Sequence, residues 1–98
     1  NKPSFACLAS RFPYGTPITK DALTQIDQAE QFIRGLGVKQ LRVRHHDSIA
    51  RIEVDPSDFP LMIERRGEIV ARLQELGWTY IALDLNGYRV GSMNKALK

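Results

Sequence analysis

The apolar positions of this chain change their period along its length, and each change marks an element. Between Thr19 and Gly37, the residues Leu23, Ile26, Ala29 or Glu30, Ile33 and Leu36 recur at helical spacing. Thr19 is placed to cap this helix, Asp21 lies in its first turn, Ile18 can staple onto Leu23, and Gly37 ends the run. From Gln40 the period falls to two. Leu41, Val43 and His45 share one side of a strand, and Arg42, Arg44 and His46 share the other. His46-Asp47-Ser48 can turn the chain into a second strand, where Ala50, Ile52 and Val54 alternate with Ile49, Arg51 and Glu53, so the pattern predicts a hairpin.

Helical spacing returns at Asp55-Pro56-Ser57-Asp58, which combines a cap, a proline at the first helical position and an early acid. The stripe Phe59, Met62, Ile63, Ile69, Val70, Leu73 and Leu76 predicts one helix running to Gly77, with Gly67 as its weak interior point. A last strand is expected over 78–85, with Ile81, Leu83 and Leu85 on one face and Tyr80, Ala82 and Asp84 on the other. Residues 86–92 read as a loop. The stretches 33–41 and 73–81 both read helix, Leu-Gly, strand, which supports the element order without establishing a duplication.

The order helix, strand, strand, helix, strand predicts an α/β two-layer sandwich in which a short mixed sheet carries both helices on one face. The other face would hold Arg42, Arg44, His46, Arg51, Glu53, Tyr80 and Asp84, too much charge for a core. Either a partner covers that face or it is a wet face crossed by ion pairs, as antiparallel sheets often have.

Composition narrows this picture. With 98 residues, 43% of them hydrophobic and 26% charged, residues 1–98 form a single domain with no room for a second core. No apolar run approaches the roughly 20 residues that cross a bilayer, so no membrane partner is expected. Asn1-Lys2-Pro3 is neither a signal nor a transit sequence, and the lone cysteine cannot form an internal disulfide, so the expected location is cytoplasmic. A start without Met points to a piece of something longer. The net charge of +3 favours anionic partners, yet its 11 acidic residues are interspersed among 14 basic ones, a mixture that suits a phosphate-bearing small molecule as well as nucleic acid.

Four features carry candidate chemistry. Cys7 sits in an extended segment, 1–17, between Pro3 and Pro13, with Lys2 and Arg11 near enough to favour a thiolate; it is either a reactive thiol or an incidental tail cysteine. Arg42 and Arg44, two apart on a strand, project the same way about 7 Å apart and could clamp a phosphate or carboxylate. His45 and His46 face opposite ways, so they do not chelate one metal ion. Glu30 interrupts an apolar stripe, as a surface carboxylate or as a general base or metal ligand aimed at a cleft. Neither common glycine-rich phosphate loop is present.

Taken together, Lys2-Pro3-Ser4, the run from Ala6-Cys7-Leu8-Ala9-Ser10-Arg11 to Phe12-Pro13-Tyr14-Gly15-Thr16, Leu41-Arg42-Val43-Arg44-His45-His46, Ile49-Ala50-Arg51-Ile52-Glu53, and Gly87-Tyr88-Arg89 with Gly91-Ser92-Met93-Asn94 resemble the C-terminal region of the LarE family. These are ATP-dependent sacrificial sulfur transferases, and the resemblance covers nearly the whole chain. It implies a C-terminal sulfur transferase domain whose N-terminal partner, an ATP pyrophosphatase-type domain of the PP-loop superfamily, is absent here, so that the chain alone would be inactive. The implied reaction belongs to biosynthesis of the nickel-pincer nucleotide of lactate racemase. A carboxylate of pyridinium-3,5-biscarboxylic acid mononucleotide is adenylated with Mg-ATP, a cysteine thiolate displaces AMP, and cleavage of the cysteine Cβ–S bond leaves a thiocarboxylate on the substrate and dehydroalanine on the protein.

By motif match the resemblance makes Cys7 the expendable sulfur donor. Ser10, Arg11, Arg42, Arg44 and Arg89 would hold the substrate or its phosphate, and Glu30 and Glu53 would be acidic catalytic residues. Glu30 and Asp58 are candidate metal ligands. ATP and Mg would be bound mainly by the N-terminal domain, and the full-length protein is expected to be a homo-oligomer. A contrasting reading is a nucleic-acid-binding accessory domain of a PP-loop tRNA-modifying enzyme, using the same arginines on phosphates but with Tyr80 as the only aromatic predicted beside them. A purely structural oligomerisation domain is a third.

Overall fold

The computed structural model describes residues 19–88. Cys7, Ser10, Arg11 and Arg89 lie outside the described residues, as does the expected staple from Ile18. Helix α1 (Lys20–Gly35) begins where its cap is: the Thr19 side chain accepts a hydrogen bond from the Ala22 amide at 3.1 Å, satisfying one of the first-turn donors that a helix leaves unpaired. Strands β1 (Leu41–His46) and β2 (Ile49–Val54) form the expected antiparallel hairpin, with His46 opposite Ile49 across Asp47, whose φ of 53° lies in the left-handed region that a tight turn requires.

The second helical region departs from the single helix expected. A 3-10 turn over Pro56–Asp58, capped by the Asp55 side chain on the Ser57 amide at 3.0 Å, leads into α2 (Phe59–Glu64). The chain breaks at Arg65 (φ −99°, ψ 16°) and continues as α3 (Arg66–Leu76). The break comes two residues before Gly67, whose missing side chain makes it a poor helix interior residue. Met62, Ile69 and Leu73 are buried across it, whereas Ile63 and Val70, each one residue further round, flank the stripe and stay exposed.

Gly77 ends α3 with φ 127°: its amide bonds the Gln74 carbonyl at 3.1 Å and the Trp78 amide bonds that of Leu73 at 3.3 Å, the paired bonds of a Schellman cap. Gly37 (φ 111°) also follows a helix in the left-handed region, with its amide bonded to the Arg34 carbonyl at 3.0 Å, and Val38 and Trp78 after the two glycines are both core residues. The two helix-strand units thus share a positive-φ glycine followed by a buried residue, while their strands begin four and three residues after the glycine.

Strand β3 (Tyr80–Leu83) is shorter than the span 78–85 expected, because Trp78 turns into the core before the strand begins and Leu85 is 82% exposed in the turn that follows it. It runs parallel to β2, with Ile49 opposite Tyr80 and Ile52 opposite Leu83, giving a mixed sheet of order β1-β2-β3. The helices pack on the face bearing Leu41, Val43, Ala50, Ile52 and Val54, where Ile26, Ala29, Ile33, Ile69, Leu73 and Trp78 complete one core. The α/β sandwich with its helices against a short mixed sheet is thus as expected.

Candidate functional site: the polar sheet face

Strand alternation that buries one set of side chains puts the other set on the far face. Register places Arg42 opposite Glu53 and Arg44 opposite Arg51, with Ala82 beyond Arg51 on β3. Two arginines directly opposite would repel each other. Glu53 resolves this: one carboxylate oxygen accepts from Arg44 Nη2 at 3.0 Å and the other from Arg51 Nη1 at 2.8 Å. Arg51 Nη1 also reaches Asp84 Oδ2 at 2.5 Å, and Arg51 Nε lies 3.4 Å from His46 Nε2. Charges alternate along the chain Arg44, Glu53, Arg51, Asp84. Glu53 is only 6% exposed, so its desolvation is offset by two charge-assisted bonds.

Burial works against the Asp84 carboxylate, but the Asn86 amide, at 2.8 Å, and Arg51 outweigh it and hold its pKa below the usual aspartate value. The His46 pKa is lowered, first by burial and then by the positive charge of Arg51, with smaller effects from His45 and Arg44. His46 is therefore suited to accept from Arg51 as a neutral ring.

Arg42 differs from its neighbours. Both Glu53 oxygens are taken by Arg44 and Arg51, and Arg42 instead donates to the Leu41 carbonyl at 3.0 Å and lies over the Tyr88 ring, 5.1 Å from its centre. The two arginines of the expected clamp therefore differ: both project from one face, but Arg44 is already bound to a carboxylate.

Glu30 does not join this cluster through any of these bonds. It is buried on α1, 5% exposed, and accepts the Val43 amide at 2.9 Å, an N–H on the outer edge of β1. The helix carboxylate thereby satisfies part of a strand edge that would otherwise be open. On the helix-covered side, Trp78 Nε1 donates to His45 Nδ1 at 3.0 Å, and the His45 pKa is lowered by burial, with Asp47 opposing. His45 and His46 point to opposite faces, as expected. Among the described residues no group of three or more His, Asp or Glu could hold a metal ion.

Sequence reasoning missed Tyr88 and the part Asp84 plays. Both depend on the turn after β3, where the Asp84 amide bonds the Ile52 carbonyl at 2.9 Å, the Gly87 amide bonds the Asp84 carbonyl at 3.0 Å, and the Tyr88 amide returns to the Val54 carbonyl at 2.7 Å. The signal was present in Asp84-Leu85-Asn86-Gly87, residue types that make tight turns.

The fold and face together define a small mixed α/β domain with an arginine-rich, carboxylate-braced sheet face. Comparison with known proteins shows what the chain is similar to. No protein-family model matches the chain. It is 41% identical over 99% of its length to pyridinium-3,5-bisthiocarboxylic acid mononucleotide synthase of Lactiplantibacillus plantarum, and 41% identical over 99% of its length to an uncharacterized Synechocystis protein, slr1717. An uncharacterized Methanocaldococcus jannaschii protein, MJ0830, is 29% identical over 89% of the chain. The aligned regions span 37%, 35% and 34% of the Synechocystis, Lactiplantibacillus and Methanocaldococcus proteins, so the chain spans about a third of the length of the relatives it matches. Over 99% of its length the chain thus matches part of a LarE protein, the family that its motifs resemble.

Proposed function

We propose that this chain is the C-terminal part of a sulfur transferase that inserts sulfur into pyridinium-3,5-biscarboxylic acid mononucleotide, with Cys7 as the sacrificial donor. The observation that carries the reading is the 41% identity, across 99% of the chain, to a protein named for making the bisthiocarboxylic product. The polar sheet face supports it, because a phosphate and two carboxylates on one small molecule call for arginines held in fixed positions.

ATP, with Mg, would activate the substrate carboxylate. These are assigned mainly to the remainder of the longer protein, of which this chain spans about a third. The Cys7 thiolate attacks the activated carboxyl carbon, forming a C–S bond and expelling the activating group. A base then removes the Cys7 Cα proton. The Cβ–S bond breaks with its electron pair going to sulfur, so the substrate departs as a thiocarboxylate and residue 7 is left as dehydroalanine.

Arg42, Arg44, Arg11 and Arg89, with Ser10, bind the anionic groups of the nucleotide. Glu53, whose two oxygens both lie on guanidinium groups, holds Arg44 and Arg51 in place. Glu30 is assigned as base or metal ligand, and Asp58 is a separate candidate ligand; a metal at either would be completed by groups other than the described His, Asp and Glu side chains. The nucleic-acid reading is the weaker one: Glu53 and Asp84 already neutralise Arg44 and Arg51, and Tyr88 is engaged by Arg42, which leaves little of a continuous phosphate track.

Mass spectrometry of the full-length protein after turnover with ATP and substrate tests the donor. Cys7 should lose the elements of H₂S in step with product. An intact Cys7 after stoichiometric product formation would contradict the assignment.

A further inference from the structure

Three arginines share the polar face, and two of them are tied to carboxylates. Arg44 meets Glu53, and Arg51 meets both Glu53 and Asp84. For Arg42 the described contacts are one backbone carbonyl and the face of Tyr88. A carboxylate fixes a guanidinium by neutralising it. An aromatic face fixes it while leaving its charge, and its in-plane N–H donors, available to a ligand.

From this we infer that Tyr88 is a positioning residue for substrate binding, its ring holding Arg42 oriented and un-neutralised for an anionic group of the nucleotide. The inference rests on the proposed role of the polar face and adds a residue to it. Tyr88 is itself fixed by the backbone. Its amide is bonded to the Val54 carbonyl at 2.7 Å, and it follows Gly87, whose φ of 80° suits glycine. A Cβ at Gly87 would come 2.9 Å from Pro56 Cγ and 3.0 Å from the Val54 oxygen, so only glycine lets the turn close this tightly against the end of β2. The turn that delivers Asp84 to Arg51 thus also delivers Tyr88 to Arg42. One short connection sets both the neutralised arginine and the available one.

A double-mutant cycle in the full chain, read as affinity for pyridinium-3,5-biscarboxylic acid mononucleotide, tests this. Arg42→Ala should weaken binding by roughly 10- to 150-fold, the value of a charged hydrogen bond. Tyr88→Leu should weaken it by roughly two- to fivefold, and Tyr88→Phe, which keeps the ring, should restore it. In the Arg42→Ala background Tyr88→Leu should add nothing, because the two act through one contact. Three results overturn the proposal: an unchanged affinity for Tyr88→Leu where Arg42→Ala has its effect, an equal loss in both backgrounds, or a failure of Tyr88→Phe to rescue. An Arg42→Ala protein that binds normally would instead sink the polar-face reading, and this inference with it. If Tyr88→Leu does not fold, the Arg42 Hδ proton shifts of the unsubstituted chain decide, since a guanidinium over a ring requires an upfield ring-current shift and its absence overturns the contact.

Discussion

The two faces of this sheet are made by the same strands and obey different physics. On the covered face, Val43, Ala50, Ile52 and Val54 are fully buried against α1 and α3, and any apolar side chain of similar volume would serve much the same purpose. On the polar face, Arg42, Arg44, Arg51 and Glu53 depend on identity and geometry, because the buried Glu53 carboxylate is compensated by the two guanidinium groups that reach it and Arg42 is placed by a ring. Each residue of β2 serves one face only. Stability and binding should therefore separate along a single strand, residue by residue.

The largest effect expected is on the covered side. Ile52→Ala, at a position 1% exposed, should cost about 2–5 kcal/mol in chemical denaturation while leaving nucleotide affinity of the folded fraction unchanged. An affinity loss in the folded protein would mean that the two faces are coupled. On the polar side, Glu53→Ala should cost about 1–3 kcal/mol, since it strands Arg44 against Arg51, and should weaken binding as well. Arg42→Ala should weaken binding with little change in the denaturation midpoint, as its described partners are a carbonyl and a ring. A Glu53→Ala protein of native stability would remove the carboxylate brace from this account.

The smallest effect is on pH dependence, where the two faces should agree. His45 and His46, one on each face, both have lowered pKa values, burial being the first cause in each case. The unfolded chain therefore binds protons more readily than the native one. Stability from both rings is fully present above the ordinary histidine value of 6.5 and is lost as pH falls below it. Protonated His45 can no longer accept from Trp78, the only tryptophan, so its fluorescence should change over the same interval. A denaturation midpoint that does not fall between about pH 8 and pH 5 would contradict the assignment of both rings as neutral acceptors.

Much of the fold was legible because local rules and packing agree. Thr19 caps α1, Asp55 caps the following turn, and the alternation of 41–54 fixes both faces. What failed was set by tertiary context. The stripe 59–76 reads as one helix, but the chain breaks at Arg65, two residues before the weak point at Gly67, into two helices whose apolar residues still share the core. Leu85 has the right parity for the covered face, yet the Asp84–Gly87 turn leaves the strand before it can be buried.

At the site, the face was readable and the pairing was not. Arg42 and Arg44 look equivalent in sequence, and their difference arises from Glu53, reaching diagonally to Arg44, and from Tyr88, arriving by a turn 46 residues away from Arg42 in the chain. Glu30 was legible as an odd carboxylate on an apolar stripe. Its bond to the Val43 amide follows from which side of β1 faces away from β2, which needs the strand register to be known.

A rival ligand surface exists. Beside β3, Ile52, Met62, Ile63, Ile69, Val70, Ile81 and Leu83 line an apolar groove of about 240 Å³, a form that small molecules often occupy. Backbone chemical-shift mapping of the chain on adding pyridinium-3,5-biscarboxylic acid mononucleotide separates the two surfaces in one experiment. The account predicts shifts at Arg42, Arg44, Arg51, Glu53 and Tyr88, with Ile63, Val70 and Ile81 unmoved. Shifts centred on Ile63, Val70 and Ile81, with the arginines silent, would contradict it.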